Sequence, residues 1–197
     1  IDFFSYPVSI TVLFFPVTYI FADILTEVYG YANARNVLWT VMICSIAAGL
    51  IYLGVALFPP SHIFDANESY KRVLGNVPRI IIGGWLAVFS GDITNNFVLA
   101  KMKILTKGKY LWTRTIGSTV VGEFVNTAVF YLIGLYGILP FNILITSILS
   151  GWTIKVLVEV VFTPVTYIVV AKLKKAENED YYDDKTNFNP FLFKSPF

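Results

Sequence analysis

The stretch FPVTYIFADILTEVYGYANAR, residues 15–35, decides the class of fold. It begins inside a run of twenty uncharged residues, 3–22, and a helix of that length crosses the hydrocarbon core of a bilayer. Asp23 and Glu27 follow one helical turn apart, so both carboxylates lie on one face. Acidic side chains at the end of a membrane helix need partners. We predict that these two form a structural ion network with Arg35 or with lysines of the last helix, rather than contacts to a ligand.

The composition indicates a polytopic membrane protein. The chain is 56% hydrophobic and 14% charged, and its mean hydropathy is +0.66, whereas about a quarter of the residues in soluble domains are charged. A net charge of +2 without a basic cluster argues against a nucleic-acid partner. The single cysteine, Cys44, and the single histidine, His62, exclude an internal disulfide and a His-rich metal site. We therefore expect no metal and no cofactor.

Hydrophobic runs predict an all-α membrane bundle of five spanning helices with a polar C-terminal tail. The predicted helices, A to E, cover about residues 7–29, 34–58, 78–103, 113–136 and 142–172. Residues 1–173 thus form a transmembrane bundle, and residues 174–197 form a tail that we expect to be partly ordered at best. The polar segment 59–77 between helices B and C is predicted to be a loop with room for a short interfacial helix.

The positions of lysine and arginine predict the orientation in the membrane. The region of the C–D link carries five of them, the start of the tail carries three, and the D–E link carries none. Under the positive-inside rule, the C–D link and the tail are cytoplasmic and the D–E link lies outside. Counting back along the chain puts the A–B turn inside and the start of helix A outside. We therefore expect one further helix upstream, which would make six.

Four charged residues fall well inside the predicted spans, away from their ends: Asp92, Glu123, Lys155 and Glu159. A single Asp or Lys at a helix centre costs about 2.5–3.5 kcal/mol on translocon scales. Four such residues therefore predict a shared polar cavity. Because one lysine cannot neutralise three acids, the cavity needs a protonated acid, water, or a ligand that is cationic or donates hydrogen bonds.

Further polar and aromatic side chains lie on the same helix faces. Asn95 and Asn96 follow Asp92 by three and four residues, and Asn126 follows Glu123 by three. Three aromatic residues one or two turns away have rings that could stack on a flat ligand: Trp85, Phe89 and Trp152.

Two plainer interpretations of these residues stay open. Lys155 and Glu159 are four residues apart and would also pair within their own helix. The asparagines would also serve as hydrogen-bonding contacts between helices, without any ligand.

Four blocks of sequence carry a resemblance to a known family. They are residues 15–35, already quoted, RTIGSTVVGEFVNT (114–127), IKVLVEVVFTPVTY (154–167) and TNFNPF (186–191). In this order they resemble the queuosine precursor transporter family, the YhhQ-like proteins, earlier described as vitamin uptake transporters. The resemblance implies a six-helix importer in the cell (inner) membrane. It also implies 7-deazaguanine bases as substrates, namely the cyano and aminomethyl precursors of queuosine.

The implied substrate suggests roles for the polar residues. A guanine-type edge offers two adjacent N–H donors, which one carboxylate can accept. Glu123 is the first candidate for that contact and Asp92 the second. Asn95, Asn96 and Asn126 would bind the carbonyl group and ring nitrogens, and a remaining acid would suit the cationic aminomethyl group.

Two other functions compete with the importer. A small membrane protein of this kind could be a substrate-capture subunit, like the vitamin-binding S-components, that needs a separate energising complex. An intramembrane enzyme is disfavoured, because the sequence offers no Ser/His or Cys/His set and no nucleotide loop. The preferred precursor, the coupling to energy and homo-oligomerisation are left open by the sequence.

Overall fold

Five long helices lie in the part of the chain that the structure describes. The structure is a computed structural model, and it describes residues 2–3, 6–7, 11–59, 68 and 78–192. The helices are α1 (Thr11–Tyr29), α2 (Tyr31–Leu57), α3 (Pro78–Thr106), α4 (Leu111–Phe130) and α5 (Phe141–Glu177). A two-residue antiparallel pair of strands, β1 (Asp2–Phe3) and β2 (Tyr6–Pro7), precedes α1. The described chain is thus mainly helical, as the hydrophobic runs predict.

The helices correspond in order to the predicted helices A to E. Three of them are long and apolar enough to cross a membrane: residues 31–55, 111–135 and 141–177. Their outward faces carry large apolar side chains such as Leu50 and Val161, which are 61% and 71% exposed. Apolar faces of this kind suit lipid rather than water. Spanning by α1 and α3, and a sixth helix upstream, stay predictions. The predicted loop 59–77 lies outside the described residues except at positions 59 and 68.

Gly30 is the only residue between α1 and α2. Its φ of +83° lies in the left-handed region, which glycine adopts without strain. A Cβ added there would collide with the ring of Tyr181, which packs against this turn. Glycine therefore serves two purposes here, the backbone turn and the close approach of the C-terminal segment.

Helices α3 and α4 cross at two glycines. A Cβ built on Gly91 would lie 2.6 Å from Asn126 Cβ and 3.1 Å from the Gly122 carbonyl oxygen. A Cβ built on Gly122 would lie 2.6 Å from Asn95 Cβ. The two backbones therefore touch, as membrane helices do at small residues. This contact brings the polar stripe that begins at Asp92 against the stripe that begins at Glu123.

The end of α4 winds into a π-helical turn, Tyr131–Leu135, within the range predicted as one regular helix. The guanidinium of Arg79, at the start of α3, donates to the carbonyl oxygens of Ile133 and Tyr136 at 2.6 and 2.8 Å. These bonds fix the start of α3 to the end of α4.

Residues 178–192, here called the tail strap, fold back onto the bundle. Asp183 accepts hydrogen bonds from the Tyr31 backbone N–H with both carboxylate oxygens, at 3.2 and 3.0 Å. The Arg35 guanidinium donates to the carbonyl oxygens of Asn187 and Asn189, at 3.0 and 2.8 Å. The expectation of a tail that is partly ordered at best is therefore wrong for these residues, because the first turns of α2 hold them.

Aromatic rings bind the far part of the tail strap. The ring of Phe188 packs on Tyr31 with centroids 4.9 Å apart. Lys101 Nζ lies 4.0 Å from the centroid of the Phe188 ring. Phe191 packs on Phe89 at 5.9 Å, and the Trp39 indole N–H donates to the Pro190 carbonyl. The TNFNPF block is thus the part of the strap that lies along α2 and α3.

The connecting segments fall at two ends of the bundle. The α1–α2 turn, the α3–α4 link and the tail strap meet at one end, where Gly108 of the link lies against Tyr182 of the strap. The start of α3 and the end of α4 meet at the other end. This grouping matches the sides predicted from the lysines. Which end faces the cytoplasm stays a prediction.

Candidate functional site

Buried polar side chains from four helices converge in the middle of the bundle. We call this set the central polar cluster; its members are Asp23 of α1, Asp92 and Asn95 of α3, Glu123 and Asn126 of α4, and Lys155 and Glu159 of α5. All are buried except Asp92, which is half-buried. The structure therefore places six of the ten residues predicted to bind substrate in one cluster, and adds Asp23 to them.

Lys155 joins α5 to α4. Its Nζ donates to Glu123 Oε2 at 2.8 Å, to Asn126 Oδ1 at 3.0 Å and to Thr127 Oγ1 at 3.2 Å. The alternative of a pair with Glu159 on its own helix does not describe this geometry, because the ammonium group points across the helix interface. The one lysine of the cluster thus neutralises Glu123.

Asp23 and two asparagines join α1 to α3. Asn95 Nδ2 donates to Asp23 Oδ1 at 2.6 Å, and Thr26 Oγ1 donates to Asn96 Oδ1 at 3.1 Å. Asn96 therefore makes a contact between helices, which is the plainer of the two sequence interpretations. Asp23 was expected in an ion network at the helix end, yet its bonded neighbour is an asparagine of the central polar cluster.

Other contacts close the cluster on its remaining sides. The hydroxyl group of Tyr19 on α1 lies beside Asp92 of α3. Glu159 of α5 lies close enough to Asp23 and to Glu123 for their charges to interact. Carboxylates from all four helices thus lie in one buried region of the bundle.

Several buried polar atoms of the cluster have no hydrogen-bond partner within the described chain. They are Asp23 Oδ2, Asn95 Oδ1, Glu123 Oε1, Asn126 Nδ2 and both carboxylate oxygens of Glu159. A buried polar group without a partner costs free energy, so native proteins rarely keep several in one place unless water or a ligand completes them. The arrangement therefore has unused capacity to bind a polar molecule.

A second network surrounds Glu27, one turn beyond Asp23 and nearer the tail strap. Arg114 binds the Glu27 carboxylate with Nε and Nη2, at 2.7 and 2.8 Å. Lys174 contacts Glu27 at 2.6 Å and Lys103 lies 3.7 Å away. Both lysines also bind Asp180 of the strap, at 2.7 Å each. We call these five residues the Glu27 ion network.

Asp180 lies outside the helices and has a perturbed acidity. Partial burial acts to raise the pKa of its carboxyl group, but hydrogen bonds from Lys103 and Lys174 outweigh this and hold the pKa below its ordinary value of 3.8. The Asp180 carboxylate therefore stays charged, and it keeps the strap bound to both lysines.

The Glu27 ion network differs in membership from the predicted one. Glu27 has the expected lysine of the last helix, but Arg35 donates to carbonyl oxygens of the strap instead. Sequence reasoning treated Lys103 and Arg114 only as orientation signals and did not single out Asp180. The predicted topology put the C–D link beside the A–B turn, so that grouping was the signal from which both cations could have been found.

The three candidate stacking residues are engaged in packing. The indole of Trp85 fills the space beside Gly49 of α2. Phe89 packs on Trp39 at 5.0 Å, and Trp152 packs on Phe124 at 5.9 Å while its indole N–H donates to the Val120 carbonyl oxygen. These contacts tie neighbouring helices together.

Comparison with known proteins gives the chain a family context. The family described as "Putative vitamin uptake transporter" matches residues 9–169. A curated relative, the "Probable queuosine precursor transporter" of Bacillus subtilis (strain 168), is 29% identical over 146 residues. That match covers 74% of this chain but 64% of the relative, so the chain spans less than two thirds of the relative's length. No solved structure matches the chain.

Proposed function

We propose, because the chain belongs to this family of vitamin uptake transporters, that it imports the queuosine precursors 7-cyano- and 7-aminomethyl-7-deazaguanine across the cytoplasmic membrane. Membership in this family supports a membrane transporter of small molecules rather than an enzyme. The name of the Bacillus subtilis relative supports the choice of substrate.

The observation that carries the proposal is the pair of unpartnered atoms on α4. Among the described residues, Glu123 Oε1 is a free acceptor and Asn126 Nδ2 is a free donor. The two residues are three apart, so their side chains are neighbours on one face of the helix. A guanine-type edge presents adjacent N–H donors next to a carbonyl acceptor, which is the complement of this pair.

Lys155 sets up this pair for binding. By taking Glu123 Oε2 and Asn126 Oδ1, it leaves the second oxygen and the amide nitrogen facing away from it. Both groups are buried, so bulk water does not compete for them. A base that matches the pair should be selected strongly over one that leaves either group unpaired.

The test is substrate binding by purified protein, measured by isothermal titration. Glu123→Gln replaces the free acceptor and should weaken binding of both bases by about 2–3 kcal/mol, the scale for a hydrogen bond to a charged group. Glu179→Gln, at an exposed position of the strap, is the matched control and should bind normally. A thermal melt of the apo proteins reports folding. Unchanged affinity of the Glu123 variant for both bases would remove Glu123 from the site.

Uptake into liposomes separates the transporter from a substrate-capture subunit. Protein alone should carry either base into the vesicles if it works by itself. Binding without uptake would favour the S-component-like alternative, in which a separate module supplies energy.

A further inference from the structure

The free atoms of the central polar cluster divide into two chemically different groups. On α4, the Glu123–Asn126 pair offers one acceptor and one donor. Around α1, α3 and α5, the free atoms are Asp23 Oδ2, Asn95 Oδ1 and the two oxygens of Glu159, all of which are acceptors. A site made only of acceptors is completed by a group that has only donors.

Charge leads to the same conclusion. Lys155 is bonded to Glu123, and Asp92 lies beside the Tyr19 hydroxyl group and near Lys155. The Asp23 carboxylate has an amide donor, and the Glu159 carboxylate has no hydrogen-bond partner among the described residues. Both side chains are fully buried, with 0% exposure. Two buried carboxylates without a cation are costly, and a cation brought by a ligand would remove that cost.

We infer that Asp23 and Glu159, together with the Asn95 carbonyl oxygen, form a binding site for a primary ammonium group. An ammonium group has three N–H donors and no acceptor, which matches an acceptor-only site. This inference rests on the proposed function for the identity of the natural ligand, where the ammonium group would be the aminomethyl substituent. The Glu123–Asn126 pair would then bind the base edge and the acceptor-only site the substituent.

The location of Asp23 supports this division of roles. Asn95 Nδ2 holds Asp23 Oδ1 at 2.6 Å and so fixes the carboxylate. The bond leaves Asp23 Oδ2 and the amide oxygen of Asn95 as neighbouring acceptors, because both belong to the groups joined by that bond. Glu159 lies on α5, which packs against α1, and it is close enough to Asp23 for their charges to interact. Acceptors from three helices can therefore converge on one donor group.

The test compares the two bases in the same variants. For Asp23→Asn and Glu159→Gln, the ratio of the affinities for the aminomethyl and cyano bases should fall at least tenfold relative to the unmodified protein. Glu123→Gln should weaken both bases and leave that ratio within about threefold, since it acts on the shared base edge. Two independent variants guard against misfolding of one, and a thermal melt identifies any that fail to fold. An unchanged ratio in both variants, or an equal loss for both bases, would overturn the ammonium site.

A second probe separates failure of this inference from failure of the proposed function. Benzylamine is protonated at pH 7, and benzyl alcohol is its neutral counterpart. If neither deazaguanine binds, benzylamine should still raise the melting temperature of the unmodified protein, and benzyl alcohol should not. The benzylamine effect should vanish in Asp23→Asn and in Glu159→Gln. Equal effects of the two probes, or a sodium requirement for uptake that either variant abolishes, would show that the acids do not serve an organic ammonium group.

Discussion

At the scale of single residues, the buried carboxylate of Glu27 interacts with three cationic side chains. Arg114, Lys174 and Lys103 surround its carboxylate, which is fully buried. Removing one partner of a buried ionic group is strongly destabilising, because the remaining charges are left without compensation. The same carboxylate contacts α4, α5 and α3, so the effect should spread across the bundle.

We therefore expect Glu27→Gln to lower the free energy of unfolding by about 3–5 kcal/mol. Denaturation in detergent micelles, followed by tryptophan fluorescence, measures the change. Glu179→Gln, an exposed acid-to-amide change in the strap, should have little effect. A loss for Glu27→Gln below about 1 kcal/mol, the scale of a surface ion pair, would mean that solvent screens the network.

The contrast between Asp23 and Glu27 shows what spacing can predict for a residue. Four-residue spacing places both carboxylates on one face of α1, and both do turn toward the bundle. One helical turn also moves a side chain about 6 Å along the axis. That shift puts Asp23 beside Asn95 and Glu27 beside Arg114. The partners come from other helices, so no pattern within residues 15–35 could have separated the two roles.

At the scale of elements, the crossing of α3 and α4 depends on glycine. Gly122→Ala would place a methyl group 2.6 Å from Asn95 Cβ and 3.1 Å from Asn95 Cα, which is backbone that cannot rotate away. We expect a loss of about 1–3 kcal/mol in the free energy of unfolding, the usual cost of overpacking. Thermal unfolding in detergent checks the value.

Gly84→Ala on α3 is the matched control for this change. A Cβ there would meet nothing within 4 Å, so alanine should be neutral or stabilise the helix by up to about 1 kcal/mol. Equal destabilisation by the two substitutions would show that helix packing at Gly122 is not the cause.

The tail strap supplies the cap of α2. Asp183 is almost fully buried and accepts from the Tyr31 N–H, which no residue within α2 can pair. Asp183→Ala should cost about 1 kcal/mol, as for other lost helix caps. Asp184→Ala, exposed at the next position, should be neutral. Amide hydrogen exchange at the start of α2 provides the readout, and equal protection in the two variants would argue against the cap.

The helices were predictable from hydrophobic runs, whereas the strap was not. Its anchors are largely backbone carbonyl groups, such as those of Asn187, Asn189 and Pro190, which accept from Arg35 and Trp39. Every residue carries such a carbonyl, so sequence composition does not mark the ones that are used. The polar composition of the tail therefore predicted a segment that is partly ordered at best, although folding brings it to hydrogen-bond donors on α2.

At the scale of the whole molecule, the two ends of the bundle should face opposite sides of the membrane. In a Cys44→Ser background, cysteines placed at positions 107 and 140 should react with an impermeant thiol reagent from opposite sides. Lys107 and Pro140 are both exposed, so access should not limit labelling. A third cysteine at Asp184, in the strap, should label from the same side as position 107. Labelling of 107 and 140 from one side would contradict the predicted topology.

The glycine contact between α3 and α4 also limits how this molecule can move. Side chains can move past each other by changing rotamer, but two touching backbones cannot. We therefore expect α3 and α4 to move as one rigid unit. A cross-link between cysteines at Met102 and Gly117 should then leave transport intact, whereas one between Thr26 and Asn96 should stop it. If the Met102–Gly117 cross-link blocked transport, α3 and α4 would have to move relative to each other. The interface that opens would be the one between the α3–α4 pair and helices α1 and α5, which the hydrogen bonds Asn95–Asp23 and Lys155–Glu123 cross. A substrate that contacts both sides of this interface would hold the two helix pairs together when it binds and would release them when it leaves.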